Sequence, residues 1–215
     1  MFVLILSLSK DNYNTLDIVK ESVVELPNND GNIQLKDHIT VLVFLGKKPL
    51  DKVIAASNLK ELIYDKFKGF KKFQIVAVAT EDSEEDAKAL YREIATYEDL
   101  RFWHFVYANE SDILKTFEGL KSDFKLDSNL STDNVFIVDT DLNQRGRIDD
   151  RTDNEIAKEK PIYGLSSYNC IEVAEIKNKM GSEDLRVLFT EYRQKRKGNF
   201  DSSSRRANDL NENNE

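Results

Sequence analysis

Two short apolar runs limit this chain more than any other feature. Residues 39–45 (ITVLVFL) and 73–79 (FQIVAVA) carry almost no polar side chains and are rich in β-branched ones. Such a run does not alternate between core and solvent, so it reads as a strand buried on both faces. A sheet covered on both faces needs helices to cover it. The stretch between the runs supplies one. Leu50, Val53, Ala56, Leu59, Leu62 and Ile63 recur at helical spacing, which predicts an amphipathic helix over residues 50–66.

The pattern then repeats. Glu81, Asp82, Glu84, Glu85 and Asp86 place acid where the dipole of the next helix favours it, and Ala87, Leu90, Tyr91 and Ile94 line one face of that helix. Residues 103–108 (WHFVYA) predict a third strand, and a short helix follows from Asn109 to Leu120. Residues 135–138 predict a fourth strand, 141–144 a turn and 145–148 its return strand. Helices are predicted over 166–179 and 183–197, parted by Gly181. This order predicts an α/β sandwich: a central, mostly parallel sheet, a C-terminal β-hairpin and flanking helices. The domain spans 31–197, after an apolar segment and polar tether over 1–30. From residue 198 the chain is mostly Ser, Asn, Asp and Arg, which predicts a disordered tail.

Charge and cysteine usage narrow the function. The net charge of −8 disfavours nucleic-acid binding, which needs a basic surface. A single cysteine, Cys170, excludes an intrachain disulfide and a cysteine-rich zinc site. The opening run, residues 2–8 (FVLILSL), falls far short of the roughly 20 residues that span a bilayer and has no basic segment before it. It reads either as an edge strand of a cytoplasmic protein or as part of a membrane anchor. The anchor reading, with the domain outside the cytoplasm, is the expectation adopted.

Several residues invite a chemical reading. Lys47, Lys48 and Lys52 gather at the start of the first helix, where a helix N-terminus and lysines together can hold an anion; solubilising surface charge is the plainer alternative. Asp139, Asp141, Asn143 and Asp150 partly imitate a calcium loop, although Gln144 stands at the glycine place and a solvated hairpin turn explains them better. Cys170 sits early in a predicted helix, which can activate a thiol, against the commoner role of a small buried hydrophobe. His104 beside Trp103 has no nucleophile motif near it and reads as a histidine at the mouth of a strand. Residues 193–197 (RQKRK) form a basic run suited to an acidic partner, a membrane surface or a solvated helix end.

The buried strand 39–45, the loop Gly46-Lys47-Lys48-Pro49-Leu50-Asp51-Lys52, the strand 74–79, Trp103-His104-Phe105 and the hairpin entered by Val135-Phe136-Ile137-Val138-Asp139 carry a resemblance. Over about residues 31–197 the chain resembles the thioredoxin superfamily, in its Sco and peroxiredoxin-like branch. It is also similar to a Sco-related group from flavobacteria, most closely over residues 163–199. The resemblance implies a Cys-Pro-x-x-Cys motif after the first core strand, where this chain has Lys48, Pro49 and Lys52. It also implies a histidine ligand before the hairpin strand, where this chain has Ser131-Thr132-Asp133. Lys48, Pro49, Lys52 and Thr132 are thus the degenerate motif positions. A protonated lysine is neither a thiolate ligand nor a disulfide partner. The expectation is a non-catalytic binding or assembly module, linked by the resemblance to respiratory-complex maturation. It would need no cofactor and would act on a protein partner. The alternatives are an enzyme using Cys170 or a carboxylate pair, and a metal-binding protein using the 139–150 loop.

Overall fold

The computed structural model describes residues 16–197 except 28, 30 and 97. Its sheet runs in the order β1 (Asp17–Lys20), β6 (Gln144–Gly146), β5 (Asn134–Val138), β2 (Ile39–Gly46), β3 (Phe73–Thr80) and β4 (Trp103–Ala108). A short strand β7 (Tyr168–Asn169) pairs with the start of β5. Every residue of β2 and β3 is buried, as two-sided apolar strands require.

Helices cover both faces. After β2 the chain makes a 3-10 turn (Pro49–Lys52), α1 (Val53–Leu59), a π-helical stretch (Lys60–Tyr64) and α2 (Asp65–Phe67). Then α3 (Glu84–Ala95) links β3 to β4, and α4 (Glu110–Glu118) follows β4. A short α5 (Asp153–Ala157) lies beyond the hairpin, and a π-helical stretch (Glu175–Asp184) runs into α6 (Leu185–Arg196). One core packs Val41, Val43, Ile75 and Ala77 against Leu59, Ile63, Leu90 and Phe189. The other packs Leu42, Phe44, Val76 and Val78 against Ile113 and Phe117. Parallel β2–β3–β4 units joined by helices, then the β5–β6 hairpin and a closing helix, make this a thioredoxin-like α/β fold.

Four details differ from the sequence expectation. The sheet is mixed: β2–β3 and β3–β4 are parallel, while β5 pairs antiparallel with β2, β6 and β7, and β1 with β6. Residues 16–27 are part of the domain and not of a tether. β1 adds an edge strand, and Leu16, Val23 and Leu26 are buried. Residues 166–172 are not helical, because Tyr168 and Asn169 form β7. Gly181 does not break the last helix. A Cβ there would come within 2.9 Å of Ile63 Cδ1 and 3.1 Å of Ile176 O, so the glycine lets this helix lie against the Lys60–Tyr64 turn. The apolar run 2–8 and the tail beyond 197 lie outside the described residues.

Candidate functional site

The carboxyl end of β2 sets the site. Gly46 has φ +62°, and a Cβ there would meet Asn129 O at 1.9 Å, so only glycine lets the 127–132 loop approach this closely. The Lys47 N–H donates to Asn129 O at 2.8 Å across that contact. Asp127 holds the loop from within, accepting from the Asn129 and Ser131 N–H groups, both at 2.9 Å, and from Ser131 Oγ at 2.8 Å. Burial raises the pKa of its carboxyl; the hydrogen bonds from Ser131 and Asn129 outweigh that, leaving it below the ordinary value. The Thr132 N–H then donates to Phe44 O at 3.2 Å, and Thr132 Oγ1 accepts from the Asn134 N–H at 3.1 Å.

This arrangement delivers Asp133 to the start of the first helix. Lys52 Nζ donates to Asp133 Oδ1 at 2.9 Å. The Cys170 N–H donates to Asp133 O at 2.7 Å, and Asn58 Nδ2 donates to Cys170 O at 2.8 Å. Lys52, Asp133, Cys170 and Asn58 therefore close one circuit between the first helix, the start of β5 and the turn after β7. Burial first, and the Asp133 charge second, push the Cys170 thiol far above its ordinary pKa. A buried, protonated thiol outside a helix N-terminus is a poor nucleophile. The alternative of an activated thiol at Cys170 has no support in these surroundings.

At the positions where the resemblance implies cysteine and histidine ligands, the residues present are not metal donors of that kind. An ammonium stands at one cysteine position and forms an ion pair across the site, exposed Lys48 stands at the other, and Thr132 and Asp133 replace the imidazole. No group of three or more His, Cys, Asp or Glu able to hold a metal occurs among the described residues. The alternative of an anion site at Lys47 and Lys52 meets carboxylates that the chain itself supplies. The Leu50 N–H in the first turn donates to Asp86 Oδ2 at 2.8 Å, and Lys47 Nζ lies 2.6 Å from Glu110 Oε1. Pro49 is buried in that turn.

The residues of the alternative calcium reading lie elsewhere and do other work. Asp139 follows the far end of β5, and its Oδ1 accepts from the Asp141 and Asn143 N–H groups at 2.9 Å, an ordinary turn device. Its Oδ2 takes Arg145 Nη1 at 3.0 Å, and Arg145 Nη2 reaches Glu191 Oε2 at 2.6 Å. Asp141 pairs with Lys195, and Asp150 pairs with Arg147 at 3.2 Å and with Lys179. These carboxylates are counter-ions, not a ligand shell.

Two features escaped the sequence reading. The Arg145 network clamps the chain entry, since Leu16 O accepts from Arg145 Nη2 at 2.5 Å and the Leu16 N–H donates to Glu191 Oε1 at 3.1 Å. Arg147 and Tyr168 both bind Asp184, each at 2.6 Å. Burial raises the Asp184 pKa more than these two partners lower it, so it stands above the ordinary carboxyl value. Contacts between residues so far apart leave no local signal. A cavity of about 460 Å³ lies between α3 and the free edge of β4, lined by Lys88, Tyr91, Arg92, Phe105 and Tyr107 among others. His104 stands on β4 opposite Val76, and burial first, then the charge of His38, hold its pKa below the usual value.

No protein-family model and no curated protein matches the chain. Among solved structures it is similar to a SCO1/SenC family lipoprotein from Bacillus anthracis, with 13% identity over 80% of this chain and 99% of that one at a TM-score of 0.46. It is also similar to the soluble domain of Sco1 from Bacillus subtilis, with 15% identity over 80% and 94% of the two chains at a TM-score of 0.42. A thiol:disulfide interchange protein from Bacteroides sp. shares 18% identity over 61% and 79% of the two chains at a TM-score of 0.35. These are loose likenesses, and the thioredoxin-like assignment rests on the strand order and crossovers described above.

Proposed function

We propose that this chain is a non-catalytic binding or assembly module built on a thioredoxin-like frame. The observation that supports it is the Lys52–Asp133 ion pair, which occupies the place where a redox or copper site would need sulfur and imidazole. The rigid sheet beneath it keeps the surrounding loops in place, so the frame can present a surface without performing chemistry. The client is a protein, and the Sco resemblance directs the search for it to the maturation of respiratory complexes. The apolar run at residues 2–8 tethers the domain to a membrane, on its extracytoplasmic side.

Purified protein is expected to give no turnover in an insulin-reduction assay and no competition with a copper(I) chelator. Cys170 in the native protein is expected to resist a thiol reagent and to react on unfolding. Turnover that disappears in Cys170→Ser would overturn the non-catalytic reading. Recovery of the natively expressed protein in the soluble cytoplasmic fraction would overturn the tether.

A further inference from the structure

The sheet has two chemically different ends. Lys52 and Asp133 mark one, at the carboxyl end of β2 and the start of β5. At the other end the Ile39 N–H donates to Lys72 O at 2.7 Å, where the loop before β3 turns. That loop carries Phe70, Lys71 and Lys72, and the Phe70 ring stacks on Phe189 of α6 at 4.4 Å between centroids. One turn further along α6, the Arg193 guanidinium lies 5.9 Å from the centre of the Phe70 ring. The Phe70 contacts thus bring the loop that carries Lys71 and Lys72 against the C-terminal half of α6, whose last turn is basic.

Arg193, Arg196, Lys197 and Lys71 are exposed, and Lys72 is partly so. None of the five forms an ion pair with a carboxylate among the described residues. Lys195 differs, since Asp141 neutralises it, and Asp141 with nearby Asp37 marks the border of the patch. The helix dipole does not account for the clustering, because Lys71 and Lys72 come from a separate loop. On a chain of net charge −8, five cations with no carboxylate partner among the described residues make an electrical dipole.

The chain enters the fold beside this same helix turn. Leu16 is held on its N–H by Glu191, two residues before Arg193 on α6, and on its C=O by Arg145 of β6.

We propose that Lys71, Lys72, Arg193, Arg196 and Lys197 form a docking surface for anionic lipid headgroups. The inference rests on the tether in the proposed function and adds to it an orientation. The basic end faces lipid, the acidic remainder is repelled from it, and the Lys52–Asp133 end points away, about 25 Å distant along β2. Each cation near an anionic surface strengthens binding roughly fivefold, and the effect fades with salt.

The test is vesicle flotation with the full chain, using phosphatidylcholine alone and phosphatidylcholine with phosphatidylglycerol in equal parts. Wild type is expected to float with both, and more strongly with the anionic vesicles at low salt. Lys71→Glu/Arg196→Glu/Lys197→Glu is expected to lose that anionic preference, by roughly 100-fold or more. Lys115→Glu/Lys125→Glu/Lys158→Glu, with the same charge change elsewhere, is expected to keep most of it. Circular dichroism checks that both variants fold, and the salt dependence of wild type provides an independent reading. Equal floating on both vesicle types, insensitive to salt, would overturn the docking surface while leaving the tether standing. Anionic preference without any floating on phosphatidylcholine would overturn the tether while supporting the surface. Retention on polyglutamate beads with no preference between vesicles would assign the patch to an acidic polypeptide and overturn the lipid assignment.

Discussion

Two ion-pair arrangements at opposite ends of β5 differ in what surrounds them. The Lys52 and Asp133 side chains are 16% and 43% exposed, whereas those of Arg145, Asp139 and Glu191 are 9%, 8% and 8% exposed. The first pair sits at the carboxyl end of β2 and the start of β5, where water can solvate either partner when the other is lost. The second lies between β6, the β5–β6 turn and α6, where a stranded charge has no water to turn to. Burial works against the Arg145 charge, but Glu191 and Asp139 offset it, and its pKa stands above the ordinary value. The contrast is between a partly solvated pair and a buried three-residue network. Similar distances in the two places do not mean similar energies.

That contrast can be broken most directly at Arg145. Arg145→Met strands two buried carboxylates and frees Leu16 O, and is expected to cost about 3–5 kcal/mol in urea unfolding. A loss below about 1 kcal/mol would mean that water reaches the network and that the two ends are alike. Lys52→Met should cost at most about 1 kcal/mol, with the solved half of the pair left in water. If it cost as much as Arg145→Met, the closed site would be a structural keystone.

The smallest effect concerns His104. Its pKa in the folded state lies below the unfolded value of about 6.5. Between those two values the unfolded chain binds a proton that the folded chain does not, so stability falls as the pH drops through this window and levels off below it. His104→Gln should flatten that part of the pH–stability curve, measured by thermal unfolding from pH 7 downwards. An unchanged curve would place the acid sensitivity at other groups.

What the sequence determined by itself was local. The runs 39–45 and 73–79 appear as Ile39–Gly46 and Phe73–Thr80, and the helix predicted at 50–66 appears between Pro49 and Phe67. Apolar periodicity over one element needs no knowledge of the rest of the chain. The lack of thiolate ligands at Lys48 and Lys52 was equally legible, because it is a matter of residue type. Tertiary structure decided the rest. Asp17–Lys20 is a strand only because β6 pairs with it, and Tyr168–Asn169 only because β5 does. Gly181 reads as a helix break until Ile63 is seen against it. Asp139 reads as part of a solvated hairpin turn until Arg145 is seen paired with it in a buried network. Which carboxylate answers Lys52 was undecidable along the chain, since charges act through distance in space, and the fold brings Asp133 to 2.9 Å across 81 residues of sequence.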